Sequence, residues 1–236
     1  MFKFQFECSD QDRVRADFEN RIPMSNNILI IGDSYSTYEG YIPEGYRTYY
    51  SEEGRGPDQP VTKMRLEDTW WMRFINATGA TLVQNNSWSG STVCYTGYEG
   101  DCSRTSSFIY RYRCLRDQGF FEQNKIDTVF VFGGTNDSWS GAPKGEIAFS
   151  NWSEDDLFCV LPAICHFMSA LKNDLPDSRI IFIANCDIDL RVVHCIRTAG
   201  EHFGVEVVVL EGIDKQSGHP TPLGMQQICE QVLRLF

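Results

Sequence analysis

The chain is poor in the features that usually sort a protein quickly, and each shortage narrows the field. Among 236 residues, 21 Lys and Arg face 32 Asp and Glu, a net charge of −11. Nucleic-acid binders cluster basic side chains to neutralise phosphates. Here the one basic run, Arg104 to Arg116, is broken by Phe108, Tyr110, Tyr112 and Leu115 and reads as one face of a helix. The acidic balance also disfavours docking on an anionic membrane surface. No apolar run approaches the roughly 18 residues of a membrane span. The segment Met1–Glu19 alternates a few Phe with charged residues and lacks the apolar centre of a signal peptide. The expectation is a soluble cytoplasmic protein, or a secreted or periplasmic one if a leader preceded this chain.

Metal and cofactor signals are missing too. The nine cysteines are odd in number and contain no C-x-x-C pair, so they read as free thiols rather than zinc ligands. Cys94 and Cys102, in one loop-like stretch, are the one candidate bridge. No H-E-x-x-H spacing occurs, and Asp33, Asp137, Asp187, Asp189 and Asp214 are scattered over different segments. Neither G-x-G-x-x-G nor a P-loop follows the first apolar run, which argues against a flavin- or nucleotide-binding protein. No cofactor and no metal are expected.

What the chain does have is alternation. Short apolar runs at Asn27–Ile31, Thr81–Gln84, Thr128–Phe132, Arg179–Ala184 and Val205–Leu210 read as strands buried on both faces. Helical patterns lie between them. Asp68 is placed to cap a helix bearing Trp70, Trp71, Phe74 and Ile75. Ser153 and Asp156 resemble a capping box before a stripe from Leu157 to Leu171, in which Pro162 implies a kink or a restart. Met225, Ile228, Val232 and Leu235 mark a last helix. Alternating strands and helices predict an α/β fold with a parallel, doubly wound sheet. The organisation expected is an N-terminal extension, 1–26, packed on a single domain, 27–236. An inserted loop at about 39–64 is too rich in aromatics (Tyr41, Tyr46, Tyr49, Tyr50) for a solvated tether.

In such sheets ligands bind beyond the carboxyl ends of the strands, and four segments there carry chemistry. The first strand delivers Gly32-Asp33-Ser34-Tyr35-Ser36, and a helix starting just after Ser34 would aim free N–H groups at the site. The second leads to Ser89-Gly90-Ser91, where Gly90 lets backbone approach a ligand. The third ends in Gly133-Gly134-Thr135-Asn136-Asp137; Asn136 offers an amide donor to a developing oxyanion, and Asp137 suits hydrogen bonds to nearby backbone. After the fifth comes His219, fixed between Gly218 and Pro220. His166, His194 and His202 fall inside helical patterns and read as packing or surface residues.

In this order the four blocks resemble the SGNH hydrolases, also called GDSL lipases or esterases. The resemblance spans Ile28 to about Gly224. It implies a flavodoxin-like three-layer sandwich with strand order 2-1-3-4-5. It implies Ser34 as nucleophile, His219 as base, and an oxyanion hole from the Ser34 N–H, the Gly90 N–H and the Asn136 side chain. The chain departs from the family in one place. The triad acid usually stands three residues before the histidine, a position held here by Gln216. Either Asp214, five residues before His219, completes the triad through a bulged loop, or a backbone carbonyl orients the ring in a Ser-His dyad; Asp214 is the favoured reading. Asp33, Tyr35, Trp88, Asp137 and Trp139 are expected to line the substrate.

The activity implied is hydrolysis of a small-molecule ester through an acyl-enzyme. The mean hydropathy of −0.31 favours a short acyl group, such as acetyl on a saccharide. The alternatives are a lysophospholipase or thioesterase of the same family, and a non-catalytic sugar- or ligand-binding module on the same fold.

Overall fold

The computed structural model describes residues 26–236; the N-terminal extension expected at 1–26 lies, apart from Asn26, outside the described residues. Five parallel strands form the central sheet: β1 Asn27–Gly32, β2 Thr81–Ser87, β3 Thr128–Gly133, β4 Arg179–Ala184 and β5 Glu206–Val209. Their spatial order is β2-β1-β3-β4-β5, the order expected. Two short antiparallel ladders stand apart from it: Thr96–Gly97 with Gly100–Asp101, and Lys215–Gln216 with His219–Pro220.

Among the described residues seven α-helices accompany the strands: α1 Trp70–Thr78, α2 Phe108–Asp117, α3 Phe120–Gln123, α4 Thr135–Trp139, α5 Val160–Asp174, α6 Leu190–Phe203 and α7 Pro222–Leu233. The continuous apolar strands divide their side chains by the period of two. Leu29, Ile31, Val129, Val131, Ile180 and Phe182 pack with Phe108 and Tyr112 of α2 and with α5 and α6. Ile28, Ile30, Phe130, Phe132, Ile181 and Ile183 face α1 and α7 through Trp70, Phe74, Met225 and Ile228. A sheet covered on both faces must be apolar on both, which is why these strands show no polar alternation.

Several local expectations are revised. Thr69, not Asp68, caps α1, accepting from Met72 N at 3.3 Å. Asp68 closes the preceding 3-10 turn and pairs with Arg65 and Arg73 at 2.8 and 2.6 Å. At Pro162 the helix restarts rather than kinks: a 3-10 turn, Asp155–Phe158, ends before α5, whose first turn holds the proline. That turn needs no N–H from Pro162. Cys94 and Cys102 are free, buried thiols. Arg111, within the basic run read as one face of a helix, is 1 % exposed.

Candidate active site

The site forms where β1, β2 and β3 end, because parallel register brings Gly32 beside Ser87 on one side and Phe132 on the other. Gly32 must be glycine: a Cβ there would lie 2.7 Å from Ser87 Oγ and 2.8 Å from Ser36 Cβ. The chain then turns sharply, Ser36 N donating to Asp33 O at 3.1 Å and Tyr35 N to Asp33 Oδ1 at 3.0 Å. The helix expected after Ser34 is absent. The turn is pinned instead from outside. Trp70 Nε1 donates to Ser36 Oγ at 3.1 Å, and Trp71 Nε1 and Asn85 Nδ2 both donate to Ser36 O, at 3.0 and 2.8 Å.

This turn sets Ser34 Oγ 3.0 Å from His219 Nε2, within the reach a general base requires. The other ring nitrogen, Nδ1, lies 3.3 Å from the Ser217 carbonyl oxygen. If that carbonyl accepts an N–H from Nδ1, Nε2 is left as the acceptor for the serine proton. Ser217 holds a left-handed φ of 50° and Gly218 one of 77°; this two-residue turn between the ladder strands carries the carbonyl and leads directly into the histidine. Burial holds the His219 pKa down, to about 4, against the raising effect of the Ser217 carbonyl; the charges of Arg55 and Lys215 lower it further.

Asp214 does not reach the imidazole. In the hairpin Gln216 pairs with His219 and Lys215 with Pro220, so Asp214 continues opposite Thr221, two residues beyond the histidine. The Thr221 hydroxyl donates to its carboxylate, and Thr221 N donates to its carbonyl at 3.1 Å. Five residues of separation lead to the helix cap of α7, and the bulge that would redirect the acid is not formed.

Ser34 N and Gly90 N have no protein hydrogen-bond partner among the described residues, while their neighbours Tyr35 N, Ser89 N and Ser91 N are all engaged. Gly90 has a φ of +84°, with open space where a side chain would stand. Asn136 is fixed at both ends: Nδ2 donates to Ser91 O at 2.9 Å, and Oδ1 accepts from the Tyr98 hydroxyl at 3.1 Å. That leaves one amide N–H of Asn136 uncommitted.

The buried Arg111 ties this framework together. It donates to Gly32 O and Ser91 Oγ, both at 3.1 Å, and to Asn86 Oδ1 at 2.8 Å, so one guanidinium links the ends of β1 and β2 to the Gly90 loop. Burial lowers its pKa to about 10, which still leaves it charged at neutral pH. Nothing in the pattern of α2 distinguishes this arginine from Arg113 or Arg116; only the tertiary packing does.

Three residues expected at the substrate surface are fully buried instead. Asp137 accepts from Val93 N and Cys94 N at 2.9 and 3.0 Å, anchoring the loop that follows Gly90. Asp33 is enclosed, and burial raises its pKa to about 7, with the Tyr35 N–H opposing and the Asp137 charge adding to the rise. Its Oδ2 and the Thr135 hydroxyl both lack a hydrogen-bond partner. Tyr35 points its hydroxyl at the Gly218 carbonyl. Trp88 does line a cavity of about 280 Å³ with Arg47, Gly90, Tyr98, Glu99 and Asp101. Trp139 is 41 % exposed and donates to Asp187 O at 3.1 Å. Among the described residues no group of His, Cys, Asp and Glu could hold a metal ion, and no helix is long and apolar enough to cross a membrane.

The sequence profile of the GDSL-like lipase/acylhydrolase family matches residues 26–236. A search among curated proteins returns no match. Two solved structures described as candidate GDSL-like lipases share the architecture at a TM-score of 0.81. The one from Bacteroides uniformis is 40 % identical, over 89 % of this chain and 95 % of its own. The one from Bacteroides ovatus is 35 % identical, over 90 % and 98 %. An acetyl xylan esterase from Butyrivibrio proteoclasticus has the same fold at 18 % identity and a TM-score of 0.58, over 92 % of this chain and 64 % of its own. The chain therefore belongs to the GDSL-like lipase/acylhydrolase family and is an ester-hydrolysing enzyme.

Proposed function

We propose that this protein is a serine esterase that hydrolyses a short-acyl ester of a polar, hydroxyl-rich alcohol, working as a Ser34–His219 dyad. The observation that carries the reading is the 3.0 Å separation of Ser34 Oγ and His219 Nε2. Ser34 Oγ attacks the ester carbonyl carbon while Nε2 takes the hydroxyl proton. The tetrahedral oxyanion accepts hydrogen bonds from the Ser34 and Gly90 N–H groups and from Asn136 Nδ2. Collapse breaks the bond to the leaving alkoxide, which receives the proton from His219, and the acyl group stays on Ser34. A water then gives its proton to His219 and its oxygen to the acyl carbon, releasing the acid and restoring the serine.

The substrate class rests on the cavity beside Gly90. Its walls combine Trp88 and Tyr98 with the charged Arg47, Glu99 and Asp101. Such a wall suits an alcohol that is hydroxylated and has an apolar ring face, as a sugar does, and it suits an acyl chain of many methylenes poorly. The purified enzyme should release acetate from O-acetylated oligosaccharides and hydrolyse p-nitrophenyl acetate faster than the octanoate ester. Faster hydrolysis of the octanoate, with no acetate released from the saccharides, would overturn the substrate class. Undiminished activity of Ser34→Ala would overturn the mechanism.

A further inference from the structure

We propose that three tyrosines, Tyr35, Tyr49 and Tyr50, form a clamp that positions His219 and does the orienting work a triad carboxylate would otherwise do. The inference rests on the Ser34–His219 reading above.

Both backbone carbonyls flanking the histidine are held by buried hydroxyls from the other side of the site. The Tyr35 hydroxyl donates to Gly218 O, and the Tyr50 hydroxyl donates to Pro220 O at 3.0 Å. Both tyrosines are 0 % exposed. Burial, before any other influence, pushes both phenols well above their ordinary pKa, so both remain O–H donors throughout the working range.

Tyr35 is itself braced. Asn185 Nδ2, at the end of β4, donates to its oxygen at 3.0 Å, and Lys215 Nζ fixes the far end of that amide at 2.6 Å while pairing with Asp187 at 2.7 Å. Because Tyr35 directly follows Ser34, one rigid path runs from the nucleophile to the base. The third tyrosine controls the ring plane. Tyr49 lies face to face with His219, centroids 3.7 Å apart and planes 10° apart, and the Arg55 guanidinium lies over the Tyr49 ring, 5.3 Å from its centroid.

A lone carbonyl at 3.3 Å is a weak determinant of ring orientation. A ring stacked on one face, on a loop tied at both neighbouring residues, has little freedom left. The charged and titratable groups around His219 are Arg55 over the Tyr49 ring and Lys215 with its partner Asp187; Asp214 is engaged by Thr221. Two of the three tyrosines belong to the 39–64 excursion, which gives that insertion a role in catalysis.

The test compares Tyr35→Phe, Tyr50→Phe, Tyr49→Phe and Tyr49→Ala on p-nitrophenyl acetate. Tyr35→Phe and Tyr50→Phe, which delete the hydroxyls that hold the flanking carbonyls, should each lower kcat about tenfold with KM within twofold. Tyr49→Phe keeps the stack and should retain wild-type kcat. Tyr49→Ala should lose at least tenfold in kcat and move the acidic limb of the pH profile upward, as water reaches the exposed ring face. If a buried-hydroxyl variant fails to fold, the two Tyr49 variants decide the matter alone, since that side chain is only partly buried. Unchanged kcat in Tyr35→Phe and Tyr50→Phe, or identical pH profiles for Tyr49→Phe and Tyr49→Ala, would overturn the clamp. Failure of the dyad itself reads differently: His219→Ala would then keep wild-type turnover.

Discussion

The Ser217 carbonyl oxygen lies 3.3 Å from His219 Nδ1, in the place where an acid three residues before the histidine would be sought. A neutral acceptor fixes the tautomer but adds no charge to stabilise the imidazolium, so rigid positioning has to carry more of the burden. Asp214→Asn should therefore change kcat/KM less than about threefold, because its carboxylate serves Thr221 and the start of α7. An acid in a working triad would cost on the order of 10⁴-fold in the same assay. Steady-state kinetics on the purified variant separates the two by orders of magnitude.

The burial that lowers His219 to about pH 4 also sets the working range. The neutral imidazole is the base, so activity is lost as pH falls through the folded pKa and persists above it. The kcat/KM profile should show its acidic limb near pH 4 and full activity by about pH 6, where an ordinary histidine near 6.5 would be mostly protonated. A limb at 6.5 to 7 would mean that the ring is solvated or paired with a carboxylate during turnover.

Asn136 is held by Ser91 O and Tyr98 so that one amide N–H stays free. Asn136→Ala should cost roughly 100-fold or more in kcat, the scale set by removal of one oxyanion donor. Tyr98→Phe leaves the donor and removes only its support, a hydrogen bond worth about 1 kcal/mol, and should cost about fivefold. Equal losses in the two variants would assign Asn136 a merely structural part.

Asp33 offers a test of stability. Its folded pKa, about 7, exceeds the unfolded value near 3.9. The folded state therefore keeps a proton that the unfolded state gives up between pH 4 and 7, and stability falls as pH rises through that window. His219, with its pKa depressed, acts in the opposite sense over nearly the same interval, so the wild-type curve alone hides both effects. The difference in Tm between Asp33→Asn and the wild type, measured from pH 4 to 8, isolates the carboxyl: it should grow in favour of the variant up to about pH 7 and then level off. A flat difference would mean that Asp33 is ionised throughout.

The strands were legible because burial on both faces leaves an unmistakable apolar run, while their order followed only from the resemblance to the SGNH hydrolases; parallel register then places the residues after each run together. Ser34, Gly90, Asn136 and His219 could be singled out for that reason. The orienting carbonyl could not, since every residue has one and side-chain chemistry does not mark Ser217. The reading of Asp214 counted residues from His219, but a two-stranded ladder sets direction by pairing, and pairing turns Asp214 to Thr221. Tyr35 looked like a pocket wall because it adjoins the nucleophile; its burial depends on Phe132 and Asn185, distant in sequence. Arg111 was hidden by its neighbours Arg113 and Arg116, which share its helix and stay near solvent.

The pairing of Ser34 with His219 is tested most directly by reaction with a fluorophosphonate, followed by intact and peptide mass measurement. Wild-type protein and Asp214→Asn should each gain one adduct on Ser34 at similar rates. Ser34→Ala should gain none, and His219→Ala should react at least about 100-fold more slowly. A wild-type enzyme that stays unlabelled while hydrolysing ester, or an adduct on Ser34→Ala, would contradict the account.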